Sequence, residues 1–254
     1  LRSVDVIACE DTRHSGQLLS SLRAGGRRLS FHQHNTRTRL PQLLDLLGEG
    51  LSLAVISDAG LPGISDPGEE LSAAARSAGF PVICIPGPCA ATTALVCSGL
   101  PSTRFCFEGF LPVKGRERKT RLKQIAAEQR TSVLYEAPHR LITLLEELQQ
   151  LCGSERPVQV ARELTKRHEQ QVGPTIAAAL EHFGTHRPQG EFTLVLGGCP
   201  AEAEIELDDA TLLDRMNAAM QTGTSASSAA RQLASETGIS RRRLYGLIHH
   251  NAAD

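Results

Sequence analysis

The run Val55-Ile56-Ser57-Asp58-Ala59-Gly60-Leu61-Pro62-Gly63-Ile64-Ser65-Asp66-Pro67-Gly68 constrains the fold of this chain most. An apolar strand, residues 53–56, enters a loop holding three Gly, two Pro and two Asp, and a helical pattern follows through Glu69, Glu70, Leu71 and Ala75. Glycine reaches backbone conformations closed to other residues and lets a ligand approach the main chain. A Gly-rich loop at the carboxyl end of a strand, opening a helix, is where α/β sheets bind nucleotides. The loop matches neither the dinucleotide fingerprint nor a P-loop. The plain alternative is a tight strand-to-helix connection punctuated by proline.

The rest of the chain sets this loop in an α/β pattern. Strands are predicted at residues 4–8, 51–56, 82–85, 105–107, 132–135, 158–161 and 192–196. Helices are predicted at residues 40–47, 69–78, 90–98, 116–128, 141–151 and 176–183, and the alternation implies crossover connections. A Gly/Pro cluster at residues 109–114 marks a boundary. It gives an N-terminal α/β domain (1–110), a second α/β domain (111–200) and a helical extension (201–254), with a cleft between the first two. Within the extension, residues 212–220, 227–236 and 241–249 read as helices, with an N-cap near 224–227 and a stop at Gly238. The last two resemble a helix-turn-helix, and a plain helical hairpin is the alternative.

At 254 residues with 27 Lys and Arg against 28 Asp and Glu, the chain has no global basic field, so nucleic-acid binding needs a local patch. The densest is Lys114, Arg116, Arg118, Lys119, Arg121 and Lys123, followed by Arg27, Arg28, His32, His34, Arg37 and Arg39. A solvated helix face is the alternative for the first cluster. Seven cysteines, an odd count without C-x-x-C, lie mostly in apolar runs and read as reduced, buried thiols of a cytoplasmic protein. The stretch 82–101 is broken by Pro86, Gly87 and Pro88, so it is no membrane span. No metal-ligand spacing stands out.

Six further motifs accompany the loop: Ala8-Cys9-Glu10-Asp11-Thr12-Arg13, Pro86-Gly87-Pro88-Cys89-Ala90-Ala91, Ser98-Gly99-Leu100-Pro101, Tyr135-Glu136-Ala137-Pro138-His139-Arg140, Arg162-Glu163-Leu164-Thr165-Lys166 and Gly190-Glu191-Phe192-Thr193. The loop Asp58–Gly68 resembles the signature of the tetrapyrrole-methylase superfamily. With these motifs the chain resembles, over nearly its whole length, the family of ribosomal RNA small subunit methyltransferase I. That family methylates a cytidine ribose 2′-hydroxyl in small-subunit rRNA. It opens with a strand and a Pro-x-Gly-x-x-Gly-Asp loop that residues 1–7 would follow, so by the resemblance the chain is N-terminally truncated. The resemblance also implies S-adenosylmethionine as cofactor, small-subunit rRNA or the assembled small subunit as partner, and a homodimer.

The expected cofactor residues are Asp58, Ala59, Gly60, Pro62, Ile64 and Ser65 of the loop, Pro88, Cys89, Ala90 and Ala91 of the small-residue turn, and Tyr135, Glu136, Glu191, Phe192 and Thr193 of two strand ends. Asp66 reads primarily as a helix cap before Pro67. Methyl transfer to a hydroxyl needs in-line positioning and a base or nearby cation. Glu163, beside Arg162 and Lys166, is the candidate base, and Lys166 a candidate cation; a surface ion-pair loop is the alternative. Arg140 and Arg162 join the basic cluster as RNA candidates. Two other functions stay open: a small-molecule tetrapyrrole methylase, disfavoured by the basic run and C-terminal helices, and a non-enzymatic nucleic-acid binder, disfavoured by the cofactor-type loop.

Overall fold

Two sheets organise the chain. The computed structural model describes residues 1–58, 60–200 and 207–250, with side chains as far as residue 248. Ala59 and the acidic residues 203–206 lie outside that set.

The first sheet is wholly parallel. β1 (Val6–Cys9) lies between β2 (Arg27–Ser30) and β3 (Leu53–Ile56). Helices α1 (Thr12–Ser21), α2 (Thr36–Gly48) and α3 (Glu69–Ser77) connect or follow these strands. The apolar faces of α2 and α3 close a core of Val6, Ala8, Leu29, Phe31, Leu43, Leu46 and Leu71. Asp11 caps α1, accepting from the N–H groups of Arg13 and His14. β2 and α1 escape the sequence pattern because their residues, Arg-Arg-Leu-Ser and a Ser-rich run, are mostly polar.

The second sheet is mixed, in the order β4 (Phe105–Phe110), β5 (Thr131–Glu136), β8 (Phe192–Leu196), β6 (Val158–Arg162), β7 (Gln170–Val172). Only the β4–β5 pair is parallel. Side-chain alternation along its strands divides two cores. Leu134, Val160 and Leu194 face α5 (Gly115–Ala127), α6 (Leu141–Cys152) and α7 (Ile176–Thr185). Val133, Ala161 and Val195 face Ala91, Ala94 and Leu95 of α4 (Ala90–Ser98). With both faces covered, β5 and β8 are buried at nearly every position.

Residues 82–85, expected as a strand, form none. Among the described residues no strand pairs with them, and Ile83 and Ile85 stand about 80% exposed (81% and 79%). Without a ladder, β-propensity alone does not hold a strand. Two cysteines also depart from expectation: Cys84, in this segment, and Cys97 are exposed, whereas Cys9 is buried.

The chain divides into two compact units, Leu1–Cys199 and Pro200–Asp254. In the second, α8 (Asp209–Gln221), α9 (Ala226–Thr237) and α10 (Arg241–His250) share a small core of Leu212, Met216, Ala229, Ala230, Leu233 and Leu244. Ser225 caps α9 through the Ser228 N–H, and Gly238 ends it in the left-handed conformation, as the sequence predicts.

Candidate active site

The carboxyl ends of β3, β4 and β5 meet the start of β8 around a cavity of about 300 Å³. Its walls come from the glycine loop (Leu61, Ile64, Ser65, Asp66), the start of α4 (Cys89, Ala90), Phe110, residues 135–138 and residues 190–193. Sequence distance between these segments exceeds a hundred residues, yet nine expected cofactor residues converge: Ile64, Ser65, Cys89, Ala90, Tyr135, Glu136, Glu191, Phe192 and Thr193. Asp58, Gly60, Pro62, Pro88 and Ala91 do not line it, and Ala59 lies outside the described residues.

The glycine loop is locked onto the turn before α4. Gly60 has φ +112°, and a Cβ there would lie 2.8 Å from the Pro88 carbonyl oxygen. Ser65 also takes a left-handed conformation, φ +60°. Asp66 does not cap α3; Gly68 occupies that position, and the Asp66 Oδ2 accepts from Ser57 Oγ at 2.5 Å. Pro67 explains the difference: the helix begins two residues later, after a glycine turn that only the left-handed region permits. Asp66 therefore faces the cavity, where sequence reasoning favoured a cap. Asp58 Oδ1 accepts from Ser15 Oγ at 3.3 Å. Nearby, burial pushes the Glu10 carboxyl above its usual range, with Asp66 and Asp58 adding like charge.

On the opposite wall the Tyr135 hydroxyl accepts from the Ala91 N–H at 3.1 Å. Its ring packs against Phe107 and Phe110, with centroids 5.1 and 5.5 Å away. Burial is the main reason its phenol is pushed up to about 12. The raised value means the folded state keeps the proton while the unfolded chain, near its ordinary 10, loses it. Stability therefore falls as pH rises through that interval. Tyr135→Phe is expected to remove this segment of the pH dependence and to cost about 1 kcal/mol below pH 10 through the orphaned Ala91 N–H, a gap that narrows as pH rises toward 12. Denaturant midpoints at about pH 9 and about pH 11 check both effects.

Glu163 and Lys166 gather on Glu191, which lines the cavity. Glu163 Oε1 accepts from the Glu191 N–H at 2.9 Å and from Lys166 Nζ at 3.2 Å. Lys166 Nζ also donates to Glu191 Oε2 at 2.7 Å. Glu163 (φ +49°) and Thr165 (φ +62°) hold a left-handed loop, and Glu163 lies over Gly190, where a Cβ would meet its carboxyl carbon at 2.6 Å. The Glu191 N–H chiefly holds the Glu163 carboxyl below its usual range, and Lys166 adds to this. Lys166 is raised above its usual value, mainly by Glu191.

The basic run splits. Lys114, Arg116, Lys119 and Lys123 are exposed and make no ion pair among the described residues. Arg118 departs from the expected RNA-binding cluster: it is buried, donating to Glu147 at 2.5 Å and to the Pro112 carbonyl at 3.0 Å. Position 118 is the inward turn of α5, between exposed positions 116 and 119, and Leu122 and Ile125 continue that buried stripe. Arg121 pairs with Glu108 at 2.6 Å. Arg140 pairs with buried Glu136 at 3.2 Å, and Arg162 donates to the Gln189 carbonyl at 2.7 Å.

The sequence profile of the tetrapyrrole (corrin/porphyrin) methylases matches residues 1–180. The chain belongs to the tetrapyrrole methylase family. Relatives within reach of this methylase include ribosomal RNA small subunit methyltransferase I of Synechocystis sp., 47% identical over all of this chain and 91% of that protein. The Escherichia coli O157:H7 protein of the same name is 43% identical over 96% of this chain and 85% of its own length. Solved folds agree. A cobalt-precorrin-4 methyltransferase is superposable at TM-score 0.56, with 18% identity, over 78% of this chain and 85% of that one. A Thermus thermophilus uroporphyrin-III C-methyltransferase complexed with S-adenosyl homocysteine gives 0.53 and 20% over 78% and 87%. At these identities the structures speak for the methylase fold alone.

Proposed function

We propose that this methylase transfers a methyl group from S-adenosylmethionine to the 2′-hydroxyl of a cytidine ribose in small-subunit rRNA. The observation that carries the reading is the joining of nine motif residues around one cavity at the glycine loop, in a chain 47% identical to a small-subunit rRNA methyltransferase. The residues fit the cofactor. Gly60 lets the glycine loop close on the Pro88 turn; Leu61, Ile64, Phe110 and Phe192 offer apolar wall; Asp66 offers a carboxylate to a cationic ligand. When bound, the cofactor supplies a methyl carbon already activated by a sulfonium.

The protein's part is orientation and water exclusion, which supply several kcal/mol in a well-held pair of reactants. Glu163 and Lys166, beside Glu191, orient the ribose hydroxyl. A carboxylate held below its usual range is a weak proton acceptor at neutral pH, so Glu163 acts by position more than as a base. Glu163→Gln keeps an acceptor for the Glu191 N–H, and is expected to slow transfer less than about tenfold. A loss of ~10²–10⁴-fold in single-turnover assays would make Glu163 the general base instead.

The exposed cations of α5 contribute phosphate contacts. The reading makes the protein cytoplasmic, a homodimer, and a partner of rRNA or of the assembled small subunit; no described helix is long and apolar enough to cross a membrane. The test is mass-spectrometric mapping of nucleosides in small-subunit rRNA and in assembled subunits incubated with the protein and S-adenosylmethionine. A single new 2′-O-methylcytidine is expected. Methylation of a tetrapyrrole with untouched rRNA would replace this reading.

A further inference from the structure

Behind the cavity wall lies a buried charged set that the methyl-transfer reading does not use. Glu136, the last residue of β5, has a fully buried side chain. Its Oε1 accepts from the Ala137 N–H at 2.9 Å and faces Arg140 Nε at 3.2 Å. Its Oε2 has no hydrogen-bond partner and sits 4.0 Å from Arg118 Nη1. Both arginines then reach the same stretch of main chain. Arg118 donates to the Pro112 carbonyl at 3.0 Å, and Arg140 to the Leu111 carbonyl at 2.9 Å.

Burying a carboxylate and two guanidinium groups is costly, and such sets are poor stabilisers compared with apolar side chains of equal volume. Their value lies in fixing geometry. Here the fixed geometry is the exit from β4. Leu111 follows Phe110, which lines the cavity and packs on Tyr135; Tyr135 precedes Glu136 in β5 and accepts from the N–H of Ala91. Glu136 is thus joined covalently to one wall residue and, through Arg118 and Arg140, to the backbone beside another.

We infer that Glu136, Arg118 and Arg140 form a positioning unit that sets Phe110 and Tyr135 as the aromatic wall of the cavity, and that the two arginines serve the small-molecule ligand and not RNA. This rests on the reading of the cavity as the cofactor site. The unit consists of positioning residues: the arginines act through Leu111 and Pro112.

The experiment uses the whole chain, with S-adenosylhomocysteine as the calorimetric probe and small-subunit rRNA as the second ligand. Arg118→Met and Arg140→Lys are each compared with Arg116→Ala on the exposed face of the same helix. A wall displaced by a fraction of an ångström loses orientation, so both inward variants are expected to weaken the probe by roughly tenfold. Their KM for the methyl donor rises more than kcat falls, and RNA affinity stays within about twofold. Arg116→Ala gives the reverse pattern. Arg140→Lys retains the charge, so it decides the matter if Arg118→Met melts too early to assay. Weakened RNA binding with an unchanged probe overturns the inference, as does an unchanged probe in Arg140→Lys. Ala90→Leu, which fills the cavity directly, separates the two levels. If it leaves probe affinity intact, the cofactor reading itself fails; if it abolishes binding while Arg140→Lys does not alter it, only the positioning unit fails.

Discussion

Gly60→Val is expected to lower affinity for S-adenosylmethionine at least a hundredfold, about 2.7 kcal/mol. Two independent penalties coincide at that position. The backbone φ of +112° is one that a β-branched residue rarely adopts. The added Cβ would also meet the Pro88 carbonyl oxygen at 2.8 Å, against main chain and not a yielding side-chain tip. The glycine loop and the turn before α4 must then separate, and both walls of the cavity move together. Gly48→Ala is the control. Its Cβ meets nothing within 4 Å, and it lies at the far end of α2. Calorimetry on both variants, with a thermal melt to confirm that the sheets persist, distinguishes loss of the cavity from loss of the fold. Equal affinity in both would remove the loop from the cofactor site.

The second large effect is expected on RNA. Replacing Arg116, Lys119 and Lys123 together with alanine removes three exposed cations spaced along one face of α5. Binding at low salt is expected to fall more than tenfold. The slope of log K against log salt should flatten by about 0.7–0.9 per lost phosphate contact. Cofactor affinity should not change, because none of the three lines the cavity. Fluorescence anisotropy with labelled rRNA across a salt series reads both quantities. An unmoved affinity at low salt would reduce the cluster to a solvated helix face.

How far the sequence could be read depended on where the information resides. Apolar runs with β-branched residues mark β3, β5, β6 and β8 to within two residues or fewer, because burial on both sheet faces demands such residues. Motif order located most of the cavity, since the motifs that line it sit at strand ends or helix starts that the fold brings together. Arg118 was misread because charge alone does not tell which way a helical side chain turns; the buried stripe Arg118, Leu122, Ile125 holds the answer in its spacing. Asp66 was misread because a glycine turn delays α3 past Pro67, and no periodicity records that delay. The 82–85 run has the residues of a strand but lacks a neighbour to bond among the described residues, a requirement that lies outside its own four positions.

β3 pairs with β1 on one side only among the described residues, and its Leu-Ala-Val-Ile side chains are half-buried. Its other edge has no paired strand among the described residues, and neither a proline nor a charged residue within the strand blunts it. Such an edge recruits extended polypeptide indiscriminately. At high concentration the protein is thus drawn toward intermolecular β-pairing, adding strand to strand across molecules. A lysine introduced at Ala54 would act as a gatekeeper, and its effect would appear as suppressed light scattering before any change in ligand binding.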